Sequence, residues 1–203
     1  MNLLSHYYFA KCPLYSPAYC FGLIYPDIKD REGKVVMTEP DVLRGIAEHN
    51  ALDVFFHELD WFKEAQQAIF VRFPDLPRRN KSVAHCPVAH CAVEIAIDHH
   101  LSKDSGTLAE SVEDRLASPE LGPLLALDHE AAGAVDAIVG NRRLCSYASL
   151  YGCVDALARS QRRVSMQSPD GWEYDVMCFA KESVKVGFEE LVERLRLFSS
   201  HSP

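Results

Sequence analysis

Apolar residues along the chain recur at spacings of three and four rather than in strict alternation, so the pattern predicts helices and no sheet. The clearest case is 39–59. Thr38-Glu39-Pro40-Asp41 reads as a helix start, with a Thr cap, a Pro in the first turn and an acid three residues after the Thr. Val42, Ile46, His49, Asp53 and Phe56 then follow at spacings of four, three, four and three, which is one helical face. His49 and Asp53 thus fall on the stripe expected to face the core, and His57 continues their line at spacing four. A second row answers the first. Residues 87–102 are mostly apolar, Pro87 suits a first turn, and the polar residues His90, Glu94 and Asp98 repeat every four.

The rest of the chain keeps the helical style. Residues 1–11 predict a short helix with His6 turned inward, ended by Pro13 and Pro17. Tyr19 to Ile24 is an apolar segment that stops at Pro26-Asp27, where a polar loop begins. Asp60 is expected to cap a helix carrying Trp61, Phe62, Ala65, Ile69 and Phe70. Ser105 or Thr107 caps an amphipathic segment to Leu116 whose charges read as a solvated face. Ser118-Pro119-Glu120 opens a helix through Leu127 and on to Val139, and Gly140-Asn141 is a stop signal. Residues 142–159 are helical again, and 172–198 hold a last amphipathic helix with Val184, Phe188, Leu191, Leu195 and Phe198 on one face. No repeat, low-complexity tract or linker interrupts the chain. The expectation is one all-α domain over residues 1–203, compact, with about seven to nine helices.

Composition narrows the function classes. With 203 residues, 48% hydrophobic and 25% charged, the chain has the makings of an ordinary globular core. A net charge of −8 argues against a general nucleic-acid surface. There is no apolar run of about 18 residues for a membrane span, and the first residues lack the basic-then-apolar order of a signal peptide. The seven cysteines show no CxxC pair, and Cys12, Cys20, Cys145, Cys153 and Cys178 read as reduced, mostly packing thiols of a cytoplasmic protein. The repeated pairs His85-Cys86 and His90-Cys91 could form a separate zinc site. One local charge shift stands out: residues 142–163 collect Arg142, Arg143, Arg159, Arg162 and Arg163 against the single acid Asp155. It is either a solvated basic face or a surface for a phosphate group or an acidic partner.

The two polar rows carry the chemistry. One histidine on an apolar face is ordinarily a satisfied core residue. Two rows of imidazole and carboxylate in one small chain put a shared partner on an equal footing with that reading, because burying such groups alone is costly. Packed against each other, the rows would place two or three imidazoles and several carboxylates in one dry pocket. That donor set suits zinc, manganese or iron.

The order of these motifs resembles the acyl carrier protein phosphodiesterases, an all-helical family related to the HD-domain metal phosphohydrolases. The resemblance covers about residues 1–163. Met1-Asn2-Leu3-Leu4-Ser5-His6 resembles the family's start, and Gly22 to Asp27 keeps its Gly-x-x-x-x-Asp spacing. Gly45-Ile46-x-x-His49-x-x-x-Asp53 and Glu94-x-x-x-Asp98-His99-x-Leu101 resemble its two central motifs, and Tyr147, Tyr151-Gly152 and Arg159-x-x-Arg162-Arg163 its later segment. The chain departs at Leu23 (Asn in the family), Pro26 (Ala), His57 (Asp), Gln66 (Arg) and Glu94 (Asp), and His85 and His90 lie off the pattern. The Pro-Asp pair and the extra histidines are also similar to helical zinc phospholipases.

The resemblance implies an HD-domain-like fold and hydrolysis of a phosphodiester: removal of phosphopantetheine from a serine of holo acyl carrier protein. It implies a divalent metal, manganese, iron or zinc, with His49, Asp98, His99 and Asp27 as leading ligands. His6, Asp53, His57, His90 and Glu94 would bind the ion or stand directly behind a ligand. Asp27, Asp53, Asp98 and His99 are the residues expected to carry the reaction, and the Arg142 to Arg163 segment to receive the acidic carrier protein. The alternatives are a metal-dependent hydrolase of another substrate, such as a phospholipid head group, and a non-catalytic helical binding protein.

Overall fold

The computed structural model describes residues 3–10, 16–28, 37–76, 86–163 and 171–201, and every regular element among them is helical. In chain order these are α1 (Leu3–Phe9), α2 (Pro17–Ile28), α3 (Pro40–Glu58), α4 (Asp60–Arg72), α5 (Pro87–Asp104) and α6 (Leu108–Leu116). A 3-10 turn (Pro119–Leu121) leads into α7 (Gly122–Leu125), α8 (His129–Gly140), α9 (Arg143–Ser146), α10 (Leu150–Arg163) and α11 (Trp172–His201). The total of 12 exceeds seven to nine because α7, α9 and the 3-10 turn are single turns, too short to show an apolar period. No helix among the described residues is long and apolar enough to cross a membrane.

Packing sorts the chain into two compact units, each discontinuous in sequence. One comprises residues 3–55 and 105–145 and is called here the α2 unit; the other comprises residues 1–2, 56–104 and 146–203 and is called the α5 unit. The division falls between Phe55 and Phe56, so α3 contributes to both.

In the α2 unit, α2 is apolar all round and buried from Tyr19 to Tyr25, as a central helix must be. It packs against α1, α6, α8 and the 3-10 turn. Pro17 is not a breaker but the first residue of α2, where its missing N–H costs nothing. Ser16 caps that helix by accepting from Tyr19 N at 3.2 Å, and its hydroxyl donates to Asp41. Pro26 and Asp27 lie inside the last turn of α2, not in a loop. α3 is capped by Glu39 instead of Thr38: the Glu39 carboxylate accepts from Val42 N at 2.7 Å.

The continuous helix expected from Ser118 to Val139 is interrupted at Asp128. Asp128 caps α8 through Ala131 N (3.1 Å) and accepts a second hydrogen bond from Tyr25 Oη (2.7 Å). That double demand fixes the break. The charges of α6 are not all solvated either. Glu113 is buried, and its Oε1 accepts from Leu144 N (2.8 Å) and Cys145 N (3.2 Å) at the start of α9. Its Oε2 pairs with Arg142 Nε at 3.0 Å. Arg142 adopts φ +48°, a left-handed conformation that a side chain disfavours, and the Glu113 clamp holds it there.

In the α5 unit, α5 is the central helix, against which α4, α10 and α11 pack. Val93, Ile95, Ile97 and Leu101 are buried, each contributing about 1.5–3 kcal/mol by leaving water. Asp60 begins α4 as its first residue and does not cap it; Leu59 occupies the cap position with no side-chain hydrogen bond. Cys145, Cys153 and Cys178 are free thiols, as expected, and so are Cys86 and Cys91, but Cys20 is disulfide-bonded to a partner outside the described residues. An odd cysteine count without CxxC does not exclude one bridge.

Candidate functional site

The α2 unit gathers one His/carboxylate cluster. α1 is buried on almost every residue, which turns His6 inward, and α3 presents buried His49 and half-buried Asp53. The His6 and His49 rings stack with centroids 4.1 Å apart and 20° between planes. Ligand atoms of His6, His49 and Asp53 all lie within 4.8 Å of one another.

Two glycines place His49. A Cβ on Gly22 would stand 2.3 Å from Val42 O, and one on Gly45 2.3 Å from Tyr19 O. Only the absence of both lets α2 and α3 touch backbone to backbone. At that distance His49 Nδ1 lies 2.8 Å from Leu23 O. A carbonyl can only accept, so the Nδ1 proton donates to it, and the Nε2 lone pair is left for a ligand. Sequence reading could not see this carbonyl, but the two glycines were its signal.

Asp27 belongs to the same unit. Its Oδ2 is buried, and no hydrogen bond reaches it among the described residues. Burial first, and then the Asp27 charge, push the Tyr7 phenol well above its ordinary value. Tyr7 therefore stays protonated and donates to Cys20 O at 2.9 Å.

The α5 unit gathers a second cluster from the end of α3 and the first half of α5. His90 Nε2 lies 3.1 Å and His57 Nε2 4.0 Å from the same Glu94 oxygen, Oε1. The two imidazole centroids are 4.8 Å apart. Burial alone would raise the Glu94 carboxyl, but nearby positive charge, His90 included, holds it well below the usual carboxylate range. His57 and His90 also line a groove of about 1180 Å³ along α4. No sequence pattern marks the groove, because its walls come from α3, α4, α5 and α11.

Asp98 and His99 lie deeper along α5, both buried. His99 Nδ1 donates to Tyr147 O at 2.7 Å, again leaving Nε2 free to accept. A glycine makes this possible too: a Cβ on Gly152 would be 2.0 Å from Ser146 O, so only Gly lets α10 begin that close to the turn carrying Tyr147. Cys153 donates its thiol proton to the same carbonyl at 3.4 Å, and burial pushes that thiol up to about 12. His100 is not equivalent to its neighbour. Its Nε2 donates to Lys181 O at 3.0 Å and its ring packs on Phe188, so it ties α5 to α11.

Burial pulls His99 down to about 4, which sets a stability trend. The unfolded chain protonates this imidazole near 6.5, the folded protein only near 4. Its contribution is intact above 6.5 and is lost as pH falls toward 4. Thermal denaturation of metal-free protein should show a falling Tm from pH 6.5 to 5, and His99→Gln should flatten that slope. Parallel slopes for the two proteins would show that another group is responsible.

Among the described residues, the expected ligands come together as His6, His49 and Asp53 in the α2 unit and as His57, His90 and Glu94 in the α5 unit. Among the arginines, Arg142 and Arg143 fall in the α2 unit, with Arg142 held by Glu113, and Arg159 in the α5 unit is paired with Asp155. The side chains of Arg162 and Arg163, like His85, lie outside the described residues.

No curated protein and no solved structure matches the chain. The family model described as acyl carrier protein phosphodiesterase matches residues 1–195, and the chain belongs to that family.

Proposed function

We propose that this protein hydrolyses the phosphodiester joining phosphopantetheine to a serine of holo acyl carrier protein, with a divalent cation held by His6, His49 and Asp53 and Asp27 as a further carboxylate. Family membership supplies the reaction class. The convergence of His6, His49 and Asp53 is the observation that carries the site.

The donor set fits such an ion. Two imidazoles and a carboxylate suit manganese, iron or zinc. His49 has its tautomer fixed by Leu23 O, as metal-binding imidazoles usually do. The buried Asp27 Oδ2, without a hydrogen bond among the described residues, is a carboxylate oxygen in want of positive charge.

When bound, the cation would neutralise charge on the phosphoryl oxygens and acidify a water molecule. The chain's own residues do the remainder. Leu23 O orients His49, and Tyr7 keeps its proton beside Asp27. Arg142 and Arg143 of the α2 unit are the basic residues proposed to receive the acidic carrier protein, and a cytoplasmic location goes with that substrate.

The test is incubation with holo carrier protein and manganese, read by mass spectrometry. The expected product is carrier protein lighter by phosphopantetheine. Asp53→Asn keeps size but removes charge and should abolish the reaction, while His100→Ala should retain it. Intact carrier protein beside cleavage of a phospholipid head group would move the assignment to that substrate. No cleavage of any phosphodiester by metal-loaded protein would make this a binding protein.

A further inference from the structure

We infer that His57, His90 and Glu94 form a second cation site, of the zinc class, with its fourth side open to the groove along α4. This goes beyond the hydrolase reading and does not rest on it. The observation is that two imidazoles from different helices aim at one oxygen of one carboxylate: 3.1 Å from His90 Nε2 and 4.0 Å from His57 Nε2 to Glu94 Oε1. All three ligand atoms lie within 4.8 Å of one another. Ligands about 2.0–2.1 Å from a tetrahedral zinc ion stand roughly 3.3–3.4 Å apart. The two distances to Glu94 bracket that spacing.

The rival reading is an ordinary ion pair between His90 and Glu94, four residues apart on α5. It engages one ring, whereas both rings lie against the same oxygen. A divalent ion engages both neutral rings and the carboxylate together. His2Glu with an open fourth position is also the composition that lets zinc keep a labile ligand.

Access and rigidity fit the same use. The His57 and His90 side chains are 35% and 33% exposed, against 6% for Glu94. An ion could therefore enter from the groove and settle on an anchored carboxylate. Phe62 stands against both rings, at 5.4 Å from His57 and 5.6 Å from His90, and limits their rotation. Phe62, Lys63, Gln66 and Phe179 continue the groove away from the cluster.

Purified metal-free protein titrated with zinc, by calorimetry and by metal analysis after gel filtration, tests the inference. The wild type should hold two equivalents. His90→Ala should hold one, and so should Glu94→Gln, which preserves side-chain size. His49→Ala should lose the other equivalent. Cobalt added instead of zinc should give the strong visible bands of a tetrahedral ion, and the part of that absorption due to this site should vanish in His90→Ala and remain in His49→Ala. Circular dichroism confirms that each variant is folded, and Glu94→Gln serves if His90→Ala is not. One equivalent in the wild type, lost in His49→Ala and kept in both α5 variants, would overturn the second site. Loss of all zinc from folded His90→Ala would overturn it too, by showing a single shared site. One equivalent lost only in the α5 variants would uphold it and remove the cation from the hydrolase reading instead.

Discussion

His49→Ala should reduce hydrolysis of holo carrier protein by more than about 100-fold, since removal of mere supporting groups around metal ligands already costs 10–100-fold. Two losses coincide in this variant. The Nε2 lone pair disappears, taking one of three donors from the His6, His49 and Asp53 cluster. Leu23 O also loses the Nδ1 proton it accepts at 2.8 Å. That removes one hydrogen bond to a buried carbonyl, at a cost of about 0.5–1.5 kcal/mol. A second variant separates the two. His49→Gln can present an amide N–H toward Leu23 O without restoring an imidazole. It should recover much of the lost Tm while remaining inactive and poor in metal. The measurements are initial rate, bound manganese and Tm on both variants. A His49→Gln enzyme with near wild-type rate and metal content would show that His49 is a packing residue.

The two rows were legible in the sequence, but their meeting point was not. Each step of four residues on a helix overshoots a full turn by about 40°. His49 and His57 therefore point about 80° apart, although both look continuous in a row of fours. His49 and Asp53 meet His6, whereas His57 has turned far enough to meet His90 and Glu94. The row keeps to one face over a single step and turns by about 80° over two. The same twist separates His90 from Asp98 on α5.

What the sequence could not supply were the backbone partners. Leu23 O and Tyr147 O fix the tautomers of His49 and His99, and a carbonyl leaves no mark in a pattern of side chains. The glycines beside them do. Gly22, Gly45 and Gly152 belong to the motifs that resemble the family, and each stands where any Cβ would strike a backbone atom. Glu113 shows the opposite failure. It lies in an amphipathic helix among other charges, so its pattern is that of a surface acid. It is buried because the left-handed turn at Arg142 and the open N-terminus of α9 need a carboxylate between them.

Gly45→Ala should destabilise the protein, although alanine is the better helix former. Within α3 the substitution gains up to about 1 kcal/mol from backbone propensity. Against this, the new methyl would lie 2.3 Å from Tyr19 O and 2.9 Å from the Gly22 backbone. These are main-chain atoms of a buried helix, so α2 and α3 must move apart. Overpacking of this kind costs typically 1–3 kcal/mol and occasionally more. The net effect is expected near 1 kcal/mol, or a Tm lower by about 2–4 °C for a chain of this size. Separating the helices also draws Leu23 O away from His49 Nδ1, so activity and metal content should fall further than stability alone explains. Gly133→Ala is the control. Gly133 lies inside α8, where a Cβ would meet nothing within 4 Å. There the propensity term acts alone, and Tm should rise slightly with activity unchanged. Opposite signs for the two substitutions would establish the backbone contact of α2 and α3; a rise in Tm for both would mean that the helices are not held at that distance, and that the placement of His49 has another cause.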